Sequence, residues 1–295
     1  MHYVLTGGSG HITTPLAEEL LKAGHQVTLI GRDEGKLKSL IDQGAKTAIG
    51  SVEDADFLIR AFDGADMVYL MVPPKWAVSD WIAFQKEVVH NYLKAIEANH
   101  INKVVVLSSV GAHMRQGAGP VDGLAYLETQ LDLIDSIDAV YLRPTYFSYN
   151  LLAMAGLLKH QGIMGSNFGG KTEKIGLTDT GDIAHIAAKV MLENSFTGKT
   201  IAYMVSDERY SDEIAEVLSN AVGKPAPWIV FSDEQAREGM LGAGLPPTIA
   251  DGYTQLGKAL REGQMQEDYF NHIPEKGTAK LEDLIPAFKA AYEAS

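Results

Sequence analysis

The sequence of 295 residues contains no cysteine. This absence excludes disulfide bonds, thiolate catalysis and cysteine-ligated metal sites, and it is typical of cytoplasmic proteins. No apolar run reaches the about 18 residues that a membrane-spanning helix needs. The first residues run directly into an apolar strand and show no secretory signal. We therefore expect a cytoplasmic protein with no membrane partner.

Positive charge is also scarce, with 25 lysines and arginines against 38 aspartates and glutamates and a formal net charge of −13. Nucleic-acid binding depends on clustered lysine and arginine side chains that contact phosphates. The sequence has no such cluster, so we expect no nucleic-acid partner. Its nine histidines do not follow the spacing of metal-binding sequences, and we expect no metal site.

At its start the sequence does contain a strand, a glycine-rich turn, a helix and a second strand. Residues 2–5 and 26–30 are apolar and predict buried strands, and residues 13–23 predict an amphipathic helix between them. This βαβ arrangement is typical of dinucleotide-binding proteins, because it places a pyrophosphate at the N-terminus of the helix.

The glycines of this turn are Gly7 and Gly10. Both occupy positions where the backbone turns tightly and passes close to phosphate oxygens, which a Cβ would obstruct. The third position of the wider glycine pattern is Thr13. A threonine there predicts looser packing between helix and strand, or a hydroxyl that bonds locally.

The residues at the end of the second strand determine whether NAD or NADP is preferred. NAD-binding proteins place a carboxylate at the end of this strand to bind the 2′-hydroxyl, whereas this chain has Arg32 just beyond it. An arginine side chain can bind the 2′-phosphate of NADP, and Lys36 adds a second positive charge nearby. The alternative is that Arg32 is a solvated loop residue and that Asp33 caps the next helix. We predict NADPH as the cofactor, with NAD less favoured.

Strand and helix patterns alternate through the first half of the chain and loosen from about residue 151. Further strands are predicted over 47–49, 67–72, 103–107 and 139–142, and helices over 54–62, 79–99 and 122–136. The predicted fold is α/β, with a doubly wound parallel-sheet Rossmann domain over residues 1–150 and a smaller C-terminal α/β lobe over 151–295. Part of 178–192 is expected to return to the first domain.

Several segments resemble the NmrA-like family of atypical short-chain dehydrogenases. They are residues 5–12, 29–32, 106–113, 142–150, 179–184, 210–215 and 244–246, together with a last helix from Lys280. The family includes NADPH-dependent quinone reductases and NADP-sensing regulators. The resemblance implies cofactor contacts from Gly7, Ser9, Gly10, His11, Ile12, Arg32, Ser51, Val52, Met71, Val72 and Pro73. It also places Tyr146 and Phe147 near the nicotinamide end of the cofactor. Met71 and Val72 are equally explained as strand core, and Pro73 by the end of the strand.

The chain departs from conventional short-chain dehydrogenases, in which a lysine four residues after a tyrosine favours the phenolate that exchanges a proton. The nearest match here is Tyr126, followed at that spacing by Gln130, and no lysine occurs between Lys103 and Lys159. We therefore predict that Tyr126 is a packing residue, and we assign no catalytic residue.

Aromatic and polar side chains that follow the predicted strands are candidates for a substrate pocket, because open α/β sheets bind ligands at the carboxyl ends of their strands. They are Trp76, His113, Tyr146, Phe147 and Asn150. His113 can exchange a proton near neutral pH, although a single loop histidine is also explained by local bonding, and Trp76 by a place in the core or in a lid.

Two functions remain open on this basis. The first is an NADPH-dependent oxidoreductase that transfers hydride to a quinone-like or other small, readily reduced acceptor. Such an acceptor takes protons from water, so it tolerates the missing Tyr-Lys pair. The alternative is a non-catalytic NADP(H)-binding redox sensor that reports to a protein partner.

Overall fold

The computed structural model describes residues 1–170 and 173–295. Within them, the strands are β1 (His2–Leu5), β2 (Gln26–Gly31), β3 (Lys46–Ile49), β4 (Met67–Leu70), β5 (Lys103–Leu107), β6 (Asp138–Pro144), β7 (Tyr146–Phe147), β8 (Met164–Ser166), β9 (Ile175–Thr178), β10 (Lys199–Val205), β11 (Asp207–Arg209), β12 (Trp228–Val230) and β13 (Glu275–Lys276). The helices are α1 (Thr13–Lys22), α2 (Lys38–Asp42), α3 (Ala55–Ala61), α4 (Trp81–Ala98), α5 (Val121–Asp132), α6 (Met154–Gln161), α7 (Thr180–Glu193), α8 (Ser211–Ala221), α9 (Asp233–Gly242), α10 (Pro247–Arg261) and α11 (Ile285–Ala294).

In the described residues the largest sheet has eight strands in the order β13-β10-β6-β5-β4-β1-β2-β3. All of its neighbouring pairs are parallel. The chain winds outward from β1 through β2 to β3 and then returns to β4 on the other side of β1. This doubly wound, Rossmann-like sheet confirms the predicted fold class. The reversal between β1 and β4 is the place where such sheets bind ligands, beyond the carboxyl ends of the strands.

Helices cover both faces of the sheet, as its apolar strands require. Leu16 of α1, Leu40 of α2 and Ile183 of α7 belong to the buried cluster on one face. On the other face, Val88 of α4 and Leu127 of α5 belong to a second buried cluster. The packing of α7 beside α1 brings a late segment of the chain back to the first helix.

Two smaller sheets and a third buried cluster form beside the main sheet. One small sheet joins β7, β9 and β11, and the other joins β8 and β12. The cluster draws apolar side chains from α6, α8, α10 and α11. The main sheet nevertheless takes β10 and β13 from the second half of the chain. A domain boundary at residue 150 stays a prediction.

Two predicted elements end two or more residues earlier than expected. The strand predicted to reach Val72 ends at Leu70, because the Met71 amide donates to the Thr6 hydroxyl at 2.8 Å instead of continuing the ladder. The helix predicted to reach Ser136 ends at Asp132, since the chain must turn before β6. No helix within residues 1–170 and 173–295 combines the length and apolar character that crossing a membrane needs.

Candidate functional site

The glycine turn after β1 is tightly built. Gly7 has φ +73°, a conformation that favours glycine, and a Cβ on it would lie 2.9 Å from the Met71 side chain. The Gly10 amide donates to Gly7 O at 2.8 Å, and a Cβ on Gly10 would lie 3.0 Å from that same oxygen. Side chains larger than hydrogen are therefore disfavoured at both positions.

The helix that follows this turn begins at Thr13 without a side-chain cap. The Thr13 hydroxyl donates to Thr6 O at 3.0 Å, so it bonds locally, one of the two outcomes predicted for a threonine at this position. An uncapped helix N-terminus behind a glycine turn favours an anionic group. This arrangement fits a dinucleotide pyrophosphate.

A hydrogen-bonded link fixes the turn to the end of β4. Thr6 Oγ1 donates to Tyr69 O at 3.1 Å and accepts from the Met71 amide, and the Tyr92 hydroxyl donates to Met71 O at 2.7 Å. Burial raises the pKa of Tyr92, so the phenol stays a neutral donor. Sequence reasoning missed Thr6 and Tyr92, which carry no distinctive pattern. They position the predicted contacts Met71, Val72 and Pro73.

The carboxyl ends of β2 and β3 lie beside the turn. The Gly8 amide donates to Ile30 O, and the Gly50 amide donates to Gly31 O, both at 2.9 Å. These bonds bring the predicted adenine contacts Ser51 and Val52 to the edge that carries the glycines. Val52 O accepts from Asn91 Nδ2 of α4 at 3.2 Å, which fixes its backbone.

Arg32 and Lys36 are both exposed. Among residues 1–170 and 173–295, neither forms an ion pair or a hydrogen bond, so both positive charges are free for a ligand. The Asp33 carboxylate accepts from the Gly35 amide at 3.0 Å, at the start of the short 3₁₀ helix Gly35–Leu37. This bond is local to the turn: the N-cap of the 3₁₀ helix is Glu34 and carries no side-chain cap bond, so the predicted alternative of helix capping by Asp33 is not observed.

The remaining residues of the glycine turn point in different directions. Ser9 and His11 are exposed, whereas Ile12 is buried in the cluster that includes Leu16. The His11 ring lies 4.5 Å from the ring of Tyr149, measured between centroids. Tyr149 was not predicted from the sequence, and it connects the turn to the segment after β7.

Tyr126, the nearest match to the conventional proton donor, and Ser108 are both held by hydrogen bonds within the protein. Tyr126 Oη lies 2.8 Å from His90 Nε2 of α4, so the phenol lies between two helices. Ser108, directly after β5, is buried and donates to Glu128 Oε1 at 2.5 Å. Tyr126 is placed as the sequence predicted for a packing residue.

Glu128 belongs to a buried charged network that sequence reasoning missed. Arg143 of β6 donates to Glu128 from Nε at 3.0 Å and from Nη2 at 2.5 Å, and the two side chains are 4% and 1% exposed. Arg143 Nη1 also donates to Tyr203 Oη at 2.9 Å and to Asp268 Oδ2 at 3.0 Å. Burial lowers the pKa of Arg143, but the hydrogen bond and charge of Glu128 outweigh it and raise that pKa. The network is structural, because its groups are satisfied by one another.

Three aromatic rings gather after β4. Trp76, Trp81 and Tyr253 have centroids 5.6–5.9 Å apart. Tyr146 packs against another aromatic ring, Phe168, with centroids 5.3 Å apart, and its burial raises the pKa of its phenol. Of the predicted pocket residues, Trp76 thus packs against a tyrosine of α10.

The other pocket candidates lie elsewhere. Phe147 packs against the cluster under α1 and α7, and Asn150 is exposed in the 3₁₀ helix Ser148–Ala153. The His113 ring nitrogens are shielded from solvent, and neither has a hydrogen-bond partner within the described ranges. A Cβ on Gly111 would meet Met265 at 2.7 Å, which places the loop of His113 against the segment after α10. Proton donation by His113 stays a prediction.

Comparison with known proteins agrees with this geometry. A family model described as NAD(P)H-binding matches residues 7–194. The NAD(P)H azoreductase of Xenophilus azovorans is 25% identical over 255 residues, which cover 86% of this chain and 85% of the relative. The uncharacterized oxidoreductase YesF of Bacillus subtilis is 24% identical over 292 residues, which cover 99% of this chain and 95% of the relative.

Solved structures share the fold. The NADPH complex of the quinone oxidoreductase QOR2 from Escherichia coli superposes with a TM-score of 0.78 at 22% identity, covering 97% of this chain and 99% of that one. NmrA, a negative transcriptional regulator in complex with NADP, gives a TM-score of 0.73 at 12% identity, covering 99% and 97%. The resemblance to NmrA-like proteins is confirmed at the level of the fold.

Proposed function

Because the chain belongs to the NAD(P)H-binding family, we propose that it is an NADPH-dependent oxidoreductase acting on a quinone-like or other small, readily reduced acceptor in the cytoplasm. Bound NADPH would supply a hydride from its dihydronicotinamide ring. The acceptor is the expected small-molecule partner.

The glycine turn fits this cofactor. Gly7 and Gly10 leave room where a Cβ would collide, and α1 offers its uncapped N-terminus to the pyrophosphate. Arg32 and Lys36 hold free positive charges for a 2′-phosphate, which favours NADPH over NADH. Ser9, His11, Ile12, Ser51, Val52, Met71, Val72 and Pro73 are the further contacts that we propose.

The observation that carries the proposal is that Tyr126, the nearest match to the conventional proton donor, is held in another contact, as is the nearby hydroxyl of Ser108. The Ser108 hydroxyl donates to buried Glu128, and the Tyr126 hydroxyl is paired with His90. Hydride transfer without a protein proton donor suits an acceptor such as a quinone, which becomes a quinol by taking one hydride and one proton from water. Rate enhancement then comes from placing the acceptor correctly.

The names of the relatives support this class of acceptor. One is called an NAD(P)H azoreductase, and QOR2 is an NADPH-dependent quinone oxidoreductase. Quinones and azo compounds are both conjugated molecules that accept electrons readily. Their occurrence among proteins that share this fold favours a reductase over chemistry that needs a tyrosine acid.

The test is steady-state NADPH oxidation by Tyr126→Phe and Tyr146→Phe with a panel of quinones and small carbonyls. Tyr126→Phe should keep kcat and KM within about twofold of wild type, because its hydroxyl contacts α4 and has no role in general acid–base catalysis. Tyr146→Phe, at a predicted pocket residue, should change KM.

A loss of about a hundredfold confined to Tyr126→Phe would restore the conventional proton-transfer mechanism. Tight NADPH binding by the wild type, with no turnover of any acceptor, would overturn the reductase. The non-catalytic NADP(H)-binding sensor would then be the function to pursue, and the partner would be sought among proteins.

A further inference from the structure

An exposed indole, that of Trp76, packs against two other aromatic side chains after β4. Trp76 is 47% exposed, whereas Trp81 beneath it is 4% exposed. The ring planes of Trp76 and Tyr253 are only 10° from parallel, with centroids 5.8 Å apart. Offset-parallel geometry at this spacing is favourable between aromatic rings. The two side chains therefore form an offset stack in which Tyr253 supports the flat, half-exposed indole of Trp76.

This stack is held rigidly against the main sheet. Asp80 caps α4 by accepting from the Ala83 amide at 2.9 Å, which fixes the start of the helix that carries Trp81. On α10, Gly252 packs against the Trp81 ring, since a Cβ on this glycine would lie 3.4 Å from the ring. A Cβ on Gly119 would collide with the Gly252 backbone. The close approach of α10 sets the position of the Tyr253 ring.

The stack borders the proposed reaction site. Trp76 lies three residues beyond Pro73, the last of the proposed contacts along the cofactor, and both follow the carboxyl end of β4. Ligands of open α/β sheets bind at these strand ends. Beneath the aromatic rings, Trp81 Nε1 and Gln85 Oε1 are buried and have no partner within residues 1–170 and 173–295.

We propose that Trp76 and Tyr253 form one wall of the acceptor site and select acceptors that have two or more fused or conjugated rings. The inference rests on the proposed reductase function. A fused ring system covers the whole face of the Trp76 indole, which Tyr253 holds in place, whereas a single small ring covers only part of that face. Stacking and apolar burial then increase with ring area, so the C-terminal lobe, through α10, sets the specificity.

The kinetic test compares benzoquinone, naphthoquinone and phenanthrenequinone as acceptors for wild type, Trp76→Leu and Tyr253→Leu. The wild type should prefer the larger rings, and each variant should lose about tenfold in kcat/KM for phenanthrenequinone with little change for benzoquinone. Tyr253→Phe keeps the ring and should retain the preference. Phe270→Leu is the matched control, because Phe270 is 74% exposed and lies outside this wall.

A binding test separates this inference from the proposed function. Protein saturated with NADP⁺, which cannot reduce the ligand, is titrated with naphthoquinone sulfonate and anthraquinone sulfonate by calorimetry. Tighter binding of the larger ring, lost in Trp76→Leu and Tyr253→Leu, supports the wall even if NADPH is never oxidised. Equal losses for all ring sizes, or a lowered melting temperature with unchanged selectivity, would overturn it, whatever the turnover.

Discussion

Arg32 and Asp33 are adjacent in the turn after β2, but their side chains behave differently. Asp33 binds the backbone amide of Gly35, and this hydrogen bond turns its carboxylate toward the protein. The Arg32 guanidinium has no partner among the described residues. An arginine left free at the end of β2 is the arrangement that recognises a 2′-phosphate, since its planar donors match phosphate geometry.

Replacing Arg32 by alanine should weaken NADPH binding and leave NADH binding nearly unchanged. A charge-assisted hydrogen bond is worth about 1.5–3 kcal/mol, so the Kd for NADPH should rise about tenfold or more. Calorimetric titration of both cofactors measures this. Lys38→Ala is the matched control, because Lys38 is nearby and already paired with Asp42 at 2.8 Å. Equal losses for the two cofactors would remove the role given to Arg32.

For individual residues, the sequence predicted the position along the chain better than the direction in which the side chain points. Tyr146 and Phe147 were expected together at the nicotinamide, yet successive residues of a strand point to opposite faces. Tyr146 packs near Phe168, with ring centroids 5.3 Å apart, and Phe147 packs in the cluster under α1. His113 was placed correctly after β5, but the segment that shields it is distant in sequence, so its burial was not predictable.

At the scale of elements, Arg143 joins parts of the chain that no local pattern connects. It links α5 through Glu128, β10 through Tyr203 and the segment after α10 through Asp268. An arginine in an apolar strand and a glutamate on a helix are ordinary features of a sequence. Their pairing emerges only when α5 packs over β6, which explains why the network was not predicted.

Glu128→Gln should destabilise the protein strongly. It leaves the Arg143 guanidinium buried without its main counter-charge, and breaking a buried pair in this way costs about 3–5 kcal/mol. Urea unfolding followed by circular dichroism measures the change in free energy. Asp42→Asn, which breaks an exposed ion pair with Lys38, should cost at most about 1 kcal/mol. Equal effects of the two substitutions would show that the buried network contributes little.

Aspartates fix several C-terminal segments. Hydrogen bonds from Arg261 and Asn167 lower the pKa of Asp233 to about 2. Burial would raise the pKa of Asp182, but the Ser206 hydroxyl and the amides of Thr278 and Ala279 hold it below its usual range. These carboxylates connect β8 to α9 and α10, and α7 to the segment after β13.

Acid should therefore weaken the fold as pH falls below about 4. A carboxyl group whose folded pKa is depressed stabilises the protein above its unfolded pKa of about 3.9, and that stability is lost as pH falls through the folded value. Asp233→Asn removes one such group, so its free energy of unfolding should fall less between pH 5 and pH 3 than that of wild type. Urea unfolding across this range gives both slopes, and identical slopes would contradict the assignment.

For the whole molecule, the continuous apolar strands of the first half allowed the parallel sheet to be predicted, as did the turn that follows β1. The second half was less predictable because its contacts are non-local. Only the pairing of Lys199–Val205 with β6 shows that β10 extends the main sheet. The aromatic wall was unpredictable for the same reason, because Trp76 and Tyr253 come into contact only when α10 packs against the segment after β4.

The most direct test of the proposed hydride transfer is anaerobic mixing of the purified protein with NADPH and naphthoquinone. NADPH consumption is followed by absorbance, quinol formation is followed by chromatography, and the reaction is repeated with NADPH deuterated at the transferred position. One naphthoquinol should form for each NADPH consumed, and transfer should be slower with deuterium. NADPH that binds tightly while no quinol forms would contradict the proposed hydride transfer.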